Sequence, residues 1–278
     1  MTDTPFTLVQ ISDLHIKAAG QLTYKVVDTY HALQQVTDQI NRMRPAADAV
    51  VITGDLTDFG RDDEYRQVRQ LLDTLQMPWF AIPGNHDDRQ AFYRAFADKL
   101  WCPLPAPALN GVSDDYPVRL IGLDSTIPGK PGGRLESRTL RWLDEILQQA
   151  PDRPTMVMLH HPPFVSGIGH MDRQRLENPD DLQKITSRHP QVVRLLCGHV
   201  HRYMVSSLGN TLVCTAPGTS HQVAPDFSAD GAACFVLEPA GFLVHRWQPL
   251  QPLVTHYLPV GSYPGPWPFY DEKGQLID

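Results

Sequence analysis

The segment Phe6-Thr-Leu-Val-Gln-Ile-Ser-Asp-Leu-His15 joins a short apolar run to two polar side chains. The run Phe6–Ile11 is short and partly β-branched, which is typical of a buried strand. Residues two apart on an extended chain point to the same side, so Asp13 and His15 can reach one common centre. The segment therefore predicts a strand that presents two ligand-type side chains at its end.

Similar apolar runs recur along the chain, and helical spacing separates several of them. The further strand candidates are Ala49–Thr53, Trp79–Ile82, Val118–Leu123, Thr155–Leu159 and Val192–Cys197, and the helix candidates are Val26–Met43, Asp62–Leu75, Arg89–Phe96 and Ser137–Gln148. This alternation predicts βαβ units and an α/β fold. Beyond His201 the strand candidates Tyr203–Ser207, Thr211–Cys214, Ala233–Leu237 and Phe242–Arg246 are closely spaced, which predicts an antiparallel section of sheet.

Four more polar clusters follow strand candidates, at the sheet edge where α/β proteins bind ligands. They are Gly54-Asp55-Leu56-Thr57-Asp58, Gly84-Asn85-His86-Asp87, His160-His161 and Gly198-His199-Val200-His201. Carboxylate, amide and imidazole groups without a thiolate suit borderline divalent metals better than a structural zinc. Adjacent histidines on an extended chain point to opposite sides, so we expect only one of His160 and His161 to bind a metal directly.

Composition restricts the partners. The chain of 278 residues carries 24 Lys and Arg against 31 Asp and Glu, a formal net charge of −7, and it has no basic block. This disfavours a polynucleotide, an anionic membrane or a nuclease function, and an anionic substrate would then need bound metal as its local positive charge. No apolar stretch approaches the ~20 residues of a membrane helix. The cysteines, including Cys102, are widely spaced and are predicted to be buried free thiols, so we expect a cytoplasmic protein.

The ordered set Asp13-x-His15, Gly54-Asp55, Gly84-Asn85-His86-Asp87, His160 and Gly198-His199-x-His201 resembles the calcineurin-like metallophosphoesterases, from residue 6 to about 222. Within that superfamily the chain is most similar to the class III cyclic nucleotide phosphodiesterases, and among them to the bacterial glycerophosphodiesterase branch. It shares with that branch Gly84-Asn-His-Asp-Asp88, Gly218-Thr-Ser-His-Gln-Val223 and a Gly-Pro-Trp tail. The resemblance implies a four-layer αββα sandwich.

The resemblance also implies a binuclear centre. Carried onto this chain, it has one metal held by Asp13, His15, Asp55 and His201 and the other by Asp55, Asn85, His160 and His199, with Asp55 bridging. It favours Fe(II) or Mn(II), with Zn or Co as alternatives, and hydrolysis by attack of a metal-bound hydroxide. The implied substrates are small phosphodiesters, either 3′,5′-cyclic nucleotides such as cyclic AMP or glycerophosphodiesters.

Three further residues are candidates for catalysis. His86 follows the predicted ligand Asn85 and is expected to contact the phosphate oxygens or the leaving group. Asp58 is expected to hydrogen-bond His86 and to favour its cationic form. The resemblance places His221 near the substrate.

Two other functions are compatible with this scaffold. Ser/Thr protein phosphatases follow the bridging aspartate with an arginine that grips phosphate, whereas this chain has Phe59, which disfavours a phosphomonoesterase or protein phosphatase. Purple acid phosphatases carry a metal-binding tyrosine where this chain has Asp58. A non-catalytic binding module is disfavoured because no predicted ligand is missing.

The domain organisation is expected to be simple. Residues 1–260 are predicted to form the phosphoesterase domain. Residues 261–278, rich in proline and aromatic residues, are predicted to form a tail packed on that domain or at an oligomer interface. Relatives of this class commonly form dimers or larger assemblies, so we expect a homo-oligomer.

Overall fold

The predicted strand Phe6–Ile11 forms and is buried along its whole length. The computed structural model describes residues 5–99, 108–228 and 230–277. Its strands are β1 (Phe6–Ile11), β2 (Ala49–Ile52), β3 (Trp79–Ala81), β4 (Gly111–Ser113), β5 (Arg119–Leu123), β6 (Thr126–Ile127), β7 (Lys130–Gly133), β8 (Thr155–Leu159), β9 (Val192–Cys197), β10 (Met204–Leu208), β11 (Thr211–Thr215), β12 (Gln222–Val223), β13 (Phe235–Val236), β14 (Gly241–Trp247) and β15 (Val254–Pro259). Its helices are α1 (Thr29–Asn41), α2 (Asp62–Leu72), α3 (Arg89–Phe96), α4 (Ser137–Gln148), α5 (Gly169–Asp172) and α6 (Pro179–Thr186).

Two mixed sheets form the centre of the fold. The first has the strand order β15-β14-β1-β2-β3, in which β1, β2 and β3 run parallel and β14 and β15 are antiparallel additions. The second has the order β10-β11-β9-β8-β5-β4, with β11, β9, β8 and β5 parallel and β10 and β4 antiparallel at the edges. The carboxyl ends of the parallel strands of each sheet present the predicted ligand clusters.

The alternation of side chains along each strand builds the layers. Phe6 and Leu8 of β1 pack between the two sheets with residues of the second sheet such as Met156. Val9 and Ile11, from the opposite face of β1, pack against α1, α2 and α3. Helices α4 and α6 cover the outer face of the second sheet. The order helices, sheet, sheet, helices confirms the predicted four-layer αββα sandwich.

The antiparallel strands after His201 do not form one section of sheet. The hairpin of β10 and β11 extends the second sheet, whereas β14 and β15 extend the first. The short pair of β12 and β13 belongs to neither sheet and lies between these two hairpins in sequence. The predicted strand Ala233–Leu237 is thus reduced to two residues, because it has no sheet to join.

The predictions for the C-terminal tail and for the cysteines can be compared with the exposure of these residues. Residues 261–277 are exposed in the single chain, and their packing on the domain or at an oligomer interface stays a prediction that sedimentation of the full chain would test. Cys197 and Cys214 are buried free thiols as predicted. Cys234 is exposed because it precedes the isolated strand β13, and Cys102 lies outside the described residues.

No helix among the described residues is long and apolar enough to cross a bilayer.

Candidate functional site

The predicted ligands meet at one edge of the sandwich, where strands of both sheets end. Asp13 and His15 follow β1, Asp55 follows β2 and Asn85 follows β3, all from the first sheet. From the second sheet, His160 follows β8, and His199 and His201 follow β9. All of these side chains are buried except Asn85, which is half-buried.

The backbone turns sharply at five of these residues. Asp13, His15, Asp55, His199 and His201 have φ values of 56°, 46°, 52°, 73° and 50°, in the left-handed region that costs a residue with a side chain about 1 kcal/mol or more. Backbone hydrogen bonds from Asp13 to Gly54 (3.1 Å) and from His15 to Asp55 (3.0 Å) hold two of the turns. The turns direct the side chains toward one another instead of along the strands.

Two glycines leave room for this convergence. A Cβ atom on Gly84 would overlap the carboxylate of Asp55, and one on Gly54 would overlap the ring of His160. Gly54 also has a φ of 100°, which side chains disfavour. Both positions therefore require glycine for packing.

The donor atoms form two groups that share Asp55. In the first, His15 Nε2 lies 3.0 Å from His201 Nε2 and 3.6 Å from Asp55 Oδ2, and His201 Nε2 lies 3.5 Å from Asp13 Oδ1. In the second, His160 Nε2 lies 3.3 Å from Asp55 Oδ2 and 3.1 Å from Asn85 Oδ1. Nitrogen and oxygen donors this close, arranged around Oδ2 of one carboxylate, fit the binding of divalent cations.

The other ring nitrogens fix the orientation of the histidines. Nδ1 of His160 donates to the carbonyl of Thr53 (2.7 Å), and Nδ1 of His201 donates to the carbonyl of His221 (3.2 Å). These bonds leave the Nε2 lone pairs facing the centre, as metal-binding histidines require. His199 Nε2 is buried and has no hydrogen-bond partner among the described residues. An uncompensated buried nitrogen of this kind is expected where a cation completes the site.

The site holds buried groups of opposite charge close together. Burial raises the pKa of Asp13 to about 6. Burial also raises the pKa of Asp55, but the neighbouring His160 outweighs it and the net pKa lies well below the usual value. Burial lowers the pKa of His160, and the carboxylates of Asp55 and Asp13 reverse this to give about 9. The protein therefore concentrates opposite charges here at a desolvation cost, which divalent cations would offset.

The structure places Asp58 differently from the prediction. His86 Nδ1 donates to the backbone carbonyl of Asp58 at 2.9 Å, whereas the Asp58 carboxylate lies 4.0 Å from this nitrogen, beyond hydrogen-bond distance. That carboxylate instead accepts from His15 Nδ1 at 3.3 Å and pairs with Lys17 Nζ at 3.2 Å. Burial raises the pKa of Asp58, but its bond to His15 makes the net shift downward. Asp58 thus orients a predicted metal ligand and holds His86 only through its main chain.

His86 and His221 both border the cavity above the donors, which measures about 340 Å³. The His86 amide donates to Asp55 Oδ1 at 2.9 Å, which fixes the start of the loop. The His221 ring centroid lies 4.7 Å from that of His201. Burial and the neighbouring His201 lower the pKa of His221 to about 2, so this ring is neutral in the isolated protein.

An aromatic pair closes the cavity beside His221. The rings of Tyr24 and Phe235 stack with their centroids 4.9 Å apart, and each meets the His221 ring at a steep angle, at 5.4 and 5.5 Å. Nothing in the sequence marks Phe235, because it reaches the site only through the isolated strand pair β12 and β13. Lys17 was missed for a similar reason, since its partner Asp58 becomes a neighbour only after the turns form.

His161 has both ring nitrogens engaged by the protein. Its Nε2 lies 3.1 Å from the carbonyl of Pro131, and its Nδ1 lies 2.8 Å from the hydroxyl of Ser125. Because a carbonyl only accepts, Nε2 carries the proton and Nδ1 accepts from the serine. Burial lowers the pKa of this ring to about 3. Both ring nitrogens of His161 therefore have protein partners, although one of them also lies within 4.8 Å of donor atoms of His160 and His199.

Comparison with known sequences shows the family of the chain. Residues 6–203 match the calcineurin-like phosphoesterase family. The chain is 42% identical over 272 residues to the probable glycerophosphodiester phosphodiesterase GpdQ of Arcobacter nitrofigilis, which covers 98% of this chain and 99% of that one. It is 34% identical over 237 residues to the 3′,5′-cyclic adenosine monophosphate phosphodiesterase CpdA of Pseudomonas aeruginosa, covering 84% of each chain.

The fold is also found among solved structures. A dimetal phosphatase from Danio rerio superposes with a TM-score of 0.64 at 14% identity, over 92% of this chain and 99% of that one. That likeness concerns the fold alone, whereas the sequence match spans most of the domain and includes every predicted ligand up to His201. The chain belongs to the calcineurin-like phosphoesterase family.

Proposed function

We propose that this protein is a two-metal phosphodiesterase that hydrolyses small phosphodiesters, both glycerophosphodiesters and 3′,5′-cyclic nucleotides. The position of Asp55 carries this proposal, because its carboxylate lies within 3.6 Å of His15 Nε2 and 3.3 Å of His160 Nε2. One carboxylate shared by two donor groups is what a paired centre needs. The activities in the names of the two relatives, GpdQ and CpdA, support the choice of diesters.

Two donor sets would hold the ions. We assign Asp13, His15, Asp55 and His201 to one ion and Asp55, Asn85, His160 and His199 to the other. Such a pair supplies a nucleophilic water of lowered pKa and stabilises the attacking and leaving oxygens. These nitrogen and oxygen donors accept several first-row metals, among which we propose Fe(II) or Mn(II), with Zn or Co as alternatives.

The two histidines at the cavity have separate roles in this proposal. His86 Nδ1 is bound to the Asp58 carbonyl, and its Nε2 has no hydrogen-bond partner among the described residues, so it can contact a phosphate oxygen or the leaving group. His221 is neutral, and its Nδ1 pairs with the hydroxyl of Ser220 at 2.9 Å. We assign to His221 the positioning of the diester by hydrogen bonding, without a charge of its own.

Replacement of His221 by Ala separates this role from metal binding. His201 is held by the main-chain carbonyl of residue 221, which alanine retains. We therefore expect kcat for bis-p-nitrophenyl phosphate to fall about tenfold to a hundredfold, while the dissociation constant for Mn(II) changes less than about twofold. His256→Ala, at an exposed histidine of β15, is the matched control. A parallel loss of Mn(II) affinity would show that His221 supports the ligands and does not act on the substrate.

A substrate panel tests the proposed function as a whole. The Mn(II)-loaded protein is assayed with cyclic AMP, glycerophosphoethanolamine, bis-p-nitrophenyl phosphate and the monoester p-nitrophenyl phosphate. We expect turnover of all three diesters and a lower kcat/KM for the monoester, because Phe59 stands where protein phosphatases carry an arginine. A strong monoester preference would favour the phosphomonoesterase alternative. A cyclic AMP preference above about a thousandfold would contradict broad specificity.

A further inference from the structure

A second cavity, of about 700 Å³, adjoins the metal site. It lies between the first two turns of α3 and the β6–β7 hairpin, and its wall includes Gln90, Tyr93 and Ile127. Asn85 borders this cavity and also the smaller one above the donor groups. A ligand atom at Asn85 could therefore have substituents in both spaces.

The walls of the cavity are fixed to each other. Arg89, at the start of α3, pairs with Asp124 at 2.7 Å and donates to the hydroxyl and the carbonyl of Thr126 at 3.0 and 2.7 Å. Asp124 also accepts from the backbone of Leu109 at 3.1 Å. The hairpin is tied to the metal centre as well, through the bond between Pro131 and His161. These bonds link α3, the hairpin and the predicted ligands to one another.

The charged groups of the wall are already engaged with the protein. Arg89 is paired as described, and Arg94 pairs with Asp62 at 2.9 Å. The carboxylate of Asp88 accepts from the backbone of Ala91 at 2.8 Å and caps the helix. An anionic group on the substrate would therefore find both arginines of the wall already paired.

Two neutral groups remain available. Gln90 and Tyr93 are three residues apart, on one side of α3. Neither the Gln90 amide nor the Tyr93 hydroxyl makes a hydrogen bond to any other residue in the described ranges. Both groups can donate and accept, which matches alcohol hydroxyls. The wall also includes the apolar side chains of Leu109 and Ile127, which suit a carbon skeleton.

We infer that this cavity binds one alcohol arm of a linear phosphodiester, an uncharged polyol such as glycerol. The inference rests on the proposed function, since it assumes that the phosphorus lies at the donor groups beside Asn85. A cyclic diester closes both ester oxygens into one ring and has no separate arm to place there. Gln90 and Tyr93 would therefore determine how well the enzyme uses linear diesters relative to cyclic ones.

The test compares two substrates on one set of variants. In the Mn(II)-loaded enzyme, Tyr93→Phe combined with Gln90→Ala is expected to lower kcat/KM for glycerophosphoethanolamine about tenfold and to change that for cyclic AMP less than about twofold. Gln90→Trp, which fills the cavity, is expected to have a larger effect in the same direction. Gln70→Ala, at an exposed glutamine of α2, is the control. Thermal midpoints confirm that each variant is folded.

A binding measurement without turnover accompanies the assay. Saturation-transfer NMR on the metal-free protein is expected to show transfer to the protons of free glycerol, which carries no charge and needs no metal to bind, and Gln90→Trp is expected to abolish it. Equal losses on both substrates, or no loss on either, would overturn the inference while the diesterase function stood. A wild-type enzyme that hydrolyses neither substrate would instead refute the proposed function.

Discussion

Replacing Asp55 by Asn is expected to reduce diester turnover at least about a thousandfold and to lower the bound metal from about two equivalents to less than one. The side chain lies between the two donor groups, and its Oδ2 is the oxygen within reach of both His15 and His160. Asparagine keeps the shape that fits against Gly84 and keeps an oxygen for the His86 amide. It removes the negative charge that both ions would share. Metal analysis after reconstitution with Mn(II), with kcat for bis-p-nitrophenyl phosphate, measures both effects.

The matched control is Asp38→Asn, at an exposed aspartate of α1 far in sequence from the site. It is expected to bind metal and to turn over diesters as the wild type does. The thermal midpoint of metal-free Asp55→Asn should fall below that of the metal-free wild type near pH 7, because the charge on the buried His160 loses its carboxylate partner. Full metal content and activity in Asp55→Asn would refute a bridging role and with it the two-metal proposal.

Asn85→Ala is expected to cut the turnover of bis-p-nitrophenyl phosphate about a hundredfold to a thousandfold and to weaken only one of the two metal sites. Its Oδ1 lies 3.1 Å from His160 Nε2 in the second donor group, and no atom of the first group depends on it. Metal titration should therefore show one site of unchanged affinity and one of reduced affinity. Loss of affinity at one site only would distinguish Asn85→Ala from Asp55→Asn, in which both sites lose a shared ligand.

The control for this variant is Asn210→Ala, in the exposed turn between β10 and β11. It removes the same amide from a surface position and should leave both metal sites unchanged. Unaltered hydrolysis by Asn85→Ala would contradict the assignment of the second donor set. An equal loss of both metals would mean that Asn85 supports the whole loop and not one ion.

The fold is predictable where strands are buried on both faces. Thr155–Leu159 and Val192–Cys197 agree with the structure to the residue, because short runs that are mostly apolar are most stable in a sheet covered on both faces. Helix α6 is not predicted, since it is short and begins at Pro179 directly after Asn178, a pair typical of turns. Strand β15 is a mostly exposed edge strand and lacks a clear apolar period.

The sequence predicts which residues converge at the site, but it does not predict all of the contacts between them. Ligand-type side chains after each strand indicate which residues converge. The left-handed turns at His15 and Asp55 are not foreseeable at residues other than glycine. These turns bring the Asp58 carboxylate to His15 instead of His86. The cavity beside α3 cannot be predicted from the sequence either, because it depends on the pairing of Arg89 with Asp124 across 35 positions of sequence.

Because the donor residues come from both sheets, metal binding would also stabilise the folded state. The backbone amide of His199 donates to the carboxylate of Asp13 at 3.0 Å across a sequence separation of 186 positions, so the site exists only when the two sheets are assembled. Residues from both sheets that share one ion act as a cross-link that the unfolded chain cannot form. By mass action, free metal at a hundred times its dissociation constant adds about 2.7 kcal/mol to the free energy of unfolding. When the metal is scarce, the chain would thus lose its catalytic activity and would also unfold and be proteolysed more readily.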